Sequence, residues 1–246
     1  MMLWFHKLGS PPYFQEFARR AAPWFAVPAL ACIAWGFFAG LVLAPPDYQQ
    51  GDAFRIIYVH VPSAWLSLFV YSTMAGAAVL ALVWRMKVAE AYVSAAAPIG
   101  ASFTFLALAS GAIWGQPMWG TWWVWDARLT SELILLFLYL GVIALESAIE
   151  EPRTAARAAA LLAVVGVINV PIIHYSVQWW NTLHQGPTVF RADGPAMPLS
   201  MLAPLLIAAV GFTLLFCWLV LVRMRVLLLQ RERDRRWARR WAVAHG

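Results

Sequence analysis

Six apolar runs, each about as long as a bilayer is thick, constrain this chain more than any other feature. They cover residues 23–43, 62–84, 92–114, 129–149, 158–178 and 199–222. A helix rising 1.5 Å per residue crosses the hydrocarbon layer in about 20 residues. Lipid offers bare backbone no hydrogen bonds, so spans must be helices or closed barrels. A barrel would show short alternating strands, and these runs do not alternate. The expected fold is an all-α integral membrane protein with six transmembrane helices, a single polytopic domain over 1–246. The composition agrees, with 62% hydrophobic and 12% charged residues in 246. Soluble domains hold about 25% charged residues. An ordinary cytosolic enzyme and a disordered chain are excluded. No small-residue cleavage site follows a short apolar stretch at the N-terminus, so the first run reads as a retained span.

A charge balance of +6 raises the question of a nucleic-acid partner, but the cations follow the membrane instead. Fifteen of the 18 Lys and Arg residues fall in the N-terminal segment, the second and fourth connections and the C-terminal tail. The other side holds only Arg55, Arg128 and Arg191. The positive-inside rule then predicts that both termini are cytoplasmic, with a basic tail over 223–246 against membrane lipid. No nucleic-acid partner is expected. Cys32 and Cys217 sit in apolar runs, too few for a disulfide framework or a cysteine zinc site.

The outer segments, 44–61, 114–128 and 179–198, are the long ones, and they hold the unusual residues. Between spans three and four, Trp114, Trp119, Trp122, Trp123 and Trp125 crowd into twelve residues, followed by Asp126 and Arg128. An interfacial belt accounts for one or two tryptophans per helix end. Five in one loop, interleaved with Gly, Pro and Asp, read as a rigid platform for a flat, largely apolar ligand. His60 opens the second span and His184 lies in the third outer segment, one on each side of this loop in sequence. Two imidazoles approaching from different segments suit a planar metal macrocycle, and haem iron accepts axial histidines. His174 lies within the fifth span and competes for the role; His6 and His245 belong to the tails. Arg55 and Arg128 are candidate partners for propionate carboxylates, because a guanidinium fork binds a carboxylate at two points. Asp126 is expected to orient Arg128 or to cap the fourth helix. Glu132 and Glu146 read as interfacial acids. Pro98, Pro171 and Pro204 could break their spans.

The run from Trp119 to Thr130 resembles the WWD signature of haem-handling membrane proteins. With six spans, the loop between spans three and four and the flanking His60 and His184, the whole chain is similar to the CcmC (haem exporter protein C) family of cytochrome c maturation. The resemblance implies a protein of the bacterial inner membrane with its site on the periplasmic side. It implies that haem b is held transiently there, with His60 and His184 as axial ligands and Trp114, Trp119, Trp122, Trp123, Trp125 and Asp126 along its edge. It implies handover to the haem chaperone CcmE, which carries haem covalently, in company with CcmD and the ABC-type CcmA and CcmB. The chain has no Gly-Lys-Ser/Thr phosphate loop and no Cys-x-x-Cys-His, so neither ATP hydrolysis nor covalent haem attachment to itself is expected. Any promotion of covalent transfer would work by positioning. Three rivals stand beside this reading. A b-type cytochrome serving quinone would carry its ligands within spans. A haem or small-solute transporter would often show an inverted repeat, and none is evident here. A ligand-free scaffold would leave the tryptophans exposed without purpose.

Overall fold

The computed structural model describes residue 7, residues 9–186 and residues 188–245. His6 and Pro187 lie outside the described residues, as does the side chain of His245. The regular structure is all helical, with no strand among the described residues. The elements are α1 (Pro11–Phe38), α2 (Ile57–Trp84), α3 (Lys87–Trp119), α4 (Ala127–Ala148), α5 (Pro152–Gly166), α6 (Asn169–Trp179), α7 (Leu199–Arg231) and α8 (Arg236–His245). A π turn (Ala39–Leu43) extends α1, and a 3-10 turn (Asp52–Ile56) leads into α2. These give six helical segments long and apolar enough to cross a membrane, with α5 and α6 sharing the fifth.

Local chemistry sets the helix ends. Asp126 caps α4 by accepting from the Leu129 backbone N–H at 2.8 Å. Glu151 does the same for α5, accepting from Arg153 and Thr154. Gly120, with φ at 75°, closes α3 in the left-handed conformation that glycine adopts without penalty. The turn between α2 and α3 is only Arg85 and Met86, with Arg85 itself left-handed at φ 53°.

The fifth run is not one continuous helix. Helical geometry lapses between Gly166 and Asn169, near Pro171, which lacks an amide hydrogen to donate back to residue 167. The Asn169 side chain crosses this break and donates to the Ser131 carbonyl of α4 at 2.8 Å. Pro98 and Pro204, by contrast, sit inside unbroken α3 and α7.

Small residues let the helices approach closely, as in other membrane bundles. A Cβ on Gly36 would lie 2.8 Å from the Ala208 backbone nitrogen, and one on Gly211 would lie 2.8 Å from that of Ile33. These approaches fix α1 against α7 in antiparallel register. The centre is built by α2, α3 and α4, where Tyr71 and Tyr139 meet edge to face at 4.8 Å. Tyr139 donates to the Ser67 carbonyl (2.8 Å), and the Ser67 hydroxyl donates to Glu132 (2.6 Å). This polar ladder runs from the core toward the Trp-rich end of the bundle. Cys32 and Cys217 are partly buried and unbridged.

Candidate ligand cleft at the Trp-rich end

A cleft opens where α2, α3 and α4 meet the segment after α6. His60, Trp114, Trp119, Arg128 and His184 all line it. Five of the sequence candidates, drawn from α2, α3, α4 and a loop, therefore share one wall.

The two imidazoles face one another with ring centres 6.3 Å apart. Each is held by its Nδ1. In His60, Nδ1 lies 3.0 Å from the Ala107 carbonyl and 3.1 Å from the Ser110 hydroxyl, which itself donates to the Leu106 carbonyl. In His184, Nδ1 lies 2.9 Å from the Gln185 carbonyl. A carbonyl only accepts, so in both rings Nδ1 carries the proton and Nε2 keeps its lone pair. Burial, and then the positive charge of Arg128, hold the His184 pKa below the usual histidine range. The neutral, electron-donating form is thereby favoured at neutral pH.

The glycine and aromatic positions around the pair shape the cleft. Gly111 faces His60, and a Cβ there would come within 3.0 Å of Cε1. Trp114 stands at 5.6 Å from His60, edge to face, and donates its indole N–H to Gln50 at 2.9 Å. Phe54 supports Trp114 from behind at 6.1 Å. Trp119 lies 6.5 Å from His184.

Asp126 does more than cap a helix. Its second carboxylate oxygen accepts from the Thr182 hydroxyl, and that same hydroxyl oxygen accepts from the His184 backbone N–H at 3.1 Å. The Trp-rich turn and the His184 segment are thus tied together through one carboxylate. Trp65 against Phe190 (5.5 Å) secures the far side of that segment.

The remaining candidates lie elsewhere. Trp122 and Trp125 are exposed by 60% and 76%, and Trp123 packs on Trp125 at 5.4 Å. None of these three lines the cleft. Arg55 bonds the Gly40 carbonyl (2.9 Å) and Asp52 (2.8 Å), tying the 3-10 turn to the π turn of α1. Arg128 does reach the cleft, with one guanidinium nitrogen donating to the Ile173 carbonyl at 2.6 Å. His174 is exposed on α6 against Tyr175 (4.7 Å) and does not line the cleft.

Sequence reasoning missed Gln50, Gly111, Met118, Glu132 and Gln185 in the lining. Glu132, expected to be interfacial, is 7% exposed and bonded to Ser67 inside the bundle. Its position four residues after Arg128 was the available signal, since residues i and i+4 share a helix face. Glu146 instead joins Ser94 and Arg231 at the opposite, basic end.

The chain is matched over residues 4–239 by the family model described as heme exporter protein C. It is 51% identical over 242 residues to heme exporter protein C of Escherichia coli K12, covering 98% of this chain and 97% of that one. It is 50% identical over 239 residues to the Haemophilus influenzae protein of the same name, covering 97% of each. The Bradyrhizobium diazoefficiens protein of that name is 52% identical over 225 residues, covering 92% of this chain and 85% of that one.

Proposed function

Because the chain belongs to the heme exporter protein C family, we propose that its Trp-rich cleft binds haem b as transient cargo in cytochrome c maturation. His60 and His184 are the axial ligands. The single observation that carries this is the facing imidazole pair, 6.3 Å between ring centres, each with Nδ1 engaged and Nε2 left as donor. Metal–nitrogen bonds of about 2 Å would place two opposed imidazole centres roughly 6 Å apart. Among the described residues no three His, Cys, Asp or Glu side chains gather into a metal-holding cluster. Two imidazoles alone under-coordinate a bare ion, whereas haem iron brings its in-plane ligands with it.

The chain's own groups divide the work. The carbonyls of Ala107 and Gln185 fix the tautomers and ring orientations, as groups behind metal-bound histidines do elsewhere. Trp114 and Trp119 supply flat apolar walls. Arg128 takes a propionate carboxylate, with Glu132 one turn along on the same helix face. The exposed Trp122 and Trp125, with Trp123 beneath, form the surface on which the haem chaperone CcmE docks. Handover leaves haem covalently on the chaperone; this chain's share is to hold cargo and acceptor in fixed relation, which lowers the entropic cost of their reaction. CcmD and the ABC-type CcmA and CcmB complete the assembly. The site lies on the periplasmic side of the bacterial inner membrane, with the basic end in the cytoplasm.

The test is covalent haem on the chaperone, read by haem staining on denaturing gels after co-expression with the maturation proteins. His60→Ala and His184→Ala should each lower the adduct at least about tenfold, the scale set by losing an interaction of ~1.4 kcal/mol or more. Adduct at wild-type level from both variants would overturn the ligand assignment.

A further inference from the structure

The molecule has a second large cavity, at the basic end and remote from the histidines. It holds about 530 Å³ between α1, α2, the start of α3 and α7. Its walls are almost wholly apolar, with Phe14 and Phe17 from α1, Ala77 and Leu80 from α2, and Leu221 and Met224 from α7 among them. Phe17 and the neighbouring wall residue Tyr13 are half exposed, so the cavity is a groove in the side of the bundle. A groove of this kind within a spanning bundle faces lipid.

The groove's margin is cationic. Arg85 and Lys87 flank the lining residue Met86, and Arg223 and Arg225 flank the lining residue Met224. Lys87 is paired with Glu232, and Glu16 takes both Arg19 and Arg20. Among the described residues no carboxylate lies within ion-pair distance of Arg85, Arg223 or Arg225.

Two side chains near this end carry buried polar atoms without partners among the described residues. The Nε of Arg225 is buried and makes no hydrogen bond among the described residues. Arg225 stands one turn beyond Leu221 on the same face of α7, just past the apolar wall. Gln15, next to the lining Phe14, is 0% exposed, and neither its amide oxygen nor its nitrogen is bonded. Native interiors rarely leave such groups orphaned, and each calls for an explanation. An apolar chain suits the groove and an anion suits the arginine beside it; Gln15 does not line the groove.

We propose that this groove is a binding site for an anionic phospholipid of the cytoplasmic leaflet. The acyl chain lies along Phe14, Phe17, Leu80 and Met224, and the phosphate meets the guanidinium of Arg225. The site is separate from the haem cleft and does not depend on that reading.

Native mass spectrometry of the delipidated full chain in detergent tests this, titrating phosphatidylglycerol against phosphatidylcholine of equal chain length. The expected result is one retained phosphatidylglycerol, preferred over phosphatidylcholine by about fivefold or more, the scale of one basic contact. Arg225→Gln should remove that preference, and Arg225→Lys should keep most of it. Ala77→Trp, which fills the groove, should weaken both lipids. Substituting the exposed Arg239 and Arg240 of α8 by Gln should change nothing. Equal retention of the two lipids would overturn the proposal and point to an apolar protein segment as the occupant. Loss of preference in the α8 variant but not in Arg225→Gln would overturn it in favour of diffuse surface charge.

Discussion

A methyl group at position 111 would stand 3.0 Å from Cε1 of His60, tighter than nearly all real contacts. Gly111→Ala must therefore displace the imidazole or push α3 away from α2. Overpacking of this kind costs about 1–3 kcal/mol, and here the ring's flexible end is the softer partner. Haem affinity, measured by titration of purified protein, is expected to fall about tenfold while the thermal midpoint stays near wild type, a fold change equal to ~1.4 kcal/mol. Unchanged affinity would mean that the His60 ring is not held where the ligand binds. At this scale the sequence was legible where residue type alone is informative. Two histidines beside a tryptophan run announce themselves. Glu132 did not, because its environment depends on Ser67 of α2, sixty-five positions away. Arg55 and Arg128 looked alike as outer cations. Only the approach of Gly40 to one and of the cleft to the other separates them. Asp126 was expected to orient Arg128 or to cap a helix, and it caps α4. Its second task, holding Thr182 and so His184, needs a contact across fifty-six residues that no local pattern encodes.

Elements show a different kind of error. Hydropathy located every long helix but ended several of them early. The apolar run 92–114 belongs to a helix of Lys87–Trp119, and 199–222 to one that continues to Arg231. Hydropathy reports where lipid begins, while helical hydrogen bonding continues into water until a residue such as Gly120 ends it. Trp114 therefore sits on a rigid helix rather than in a loop, with Trp119 at the end of that helix. This fixes the cleft's aromatic wall more firmly than a loop would. The fifth run hid its interruption for the same reason, since Val167 and Ile168 are as apolar as their neighbours. The side-chain bond from Asn169 to the Ser131 carbonyl pins that break to α4, just above the turn carrying Arg128. Asn169→Leu keeps the volume and deletes the bond, leaving the Ser131 carbonyl one partner short. A stability loss of about 1–2 kcal/mol is expected, seen as a lower midpoint in thermal unfolding of the detergent-purified protein. A midpoint equal to wild type would show that the interruption is held by packing alone.

The whole molecule reads as a bundle with two differently furnished ends. One gathers the tryptophans, the imidazole pair and Arg128; the other gathers the arginines of α7 and α8. Fold class and family were legible from the chain, because six long apolar runs and one Trp-rich motif survive without any knowledge of packing. The cleft itself was not, since its wall requires α2, α3, α4 and the His184 segment to converge. Trp122, Trp123 and Trp125, though part of the motif, stay outside that lining. The central claim is that haem sits between His60 and His184. The most direct measurement is the optical spectrum of purified protein titrated with haem, with wild type beside His60→Ala, His184→Ala and His174→Ala. Low-spin, bis-histidine bands are expected in wild type and in His174→Ala. Either outer substitution should weaken binding or shift the bands to a single-histidine form. Wild-type bands in both outer variants, or their loss in His174→Ala alone, would contradict the account and place the ligand within the spans.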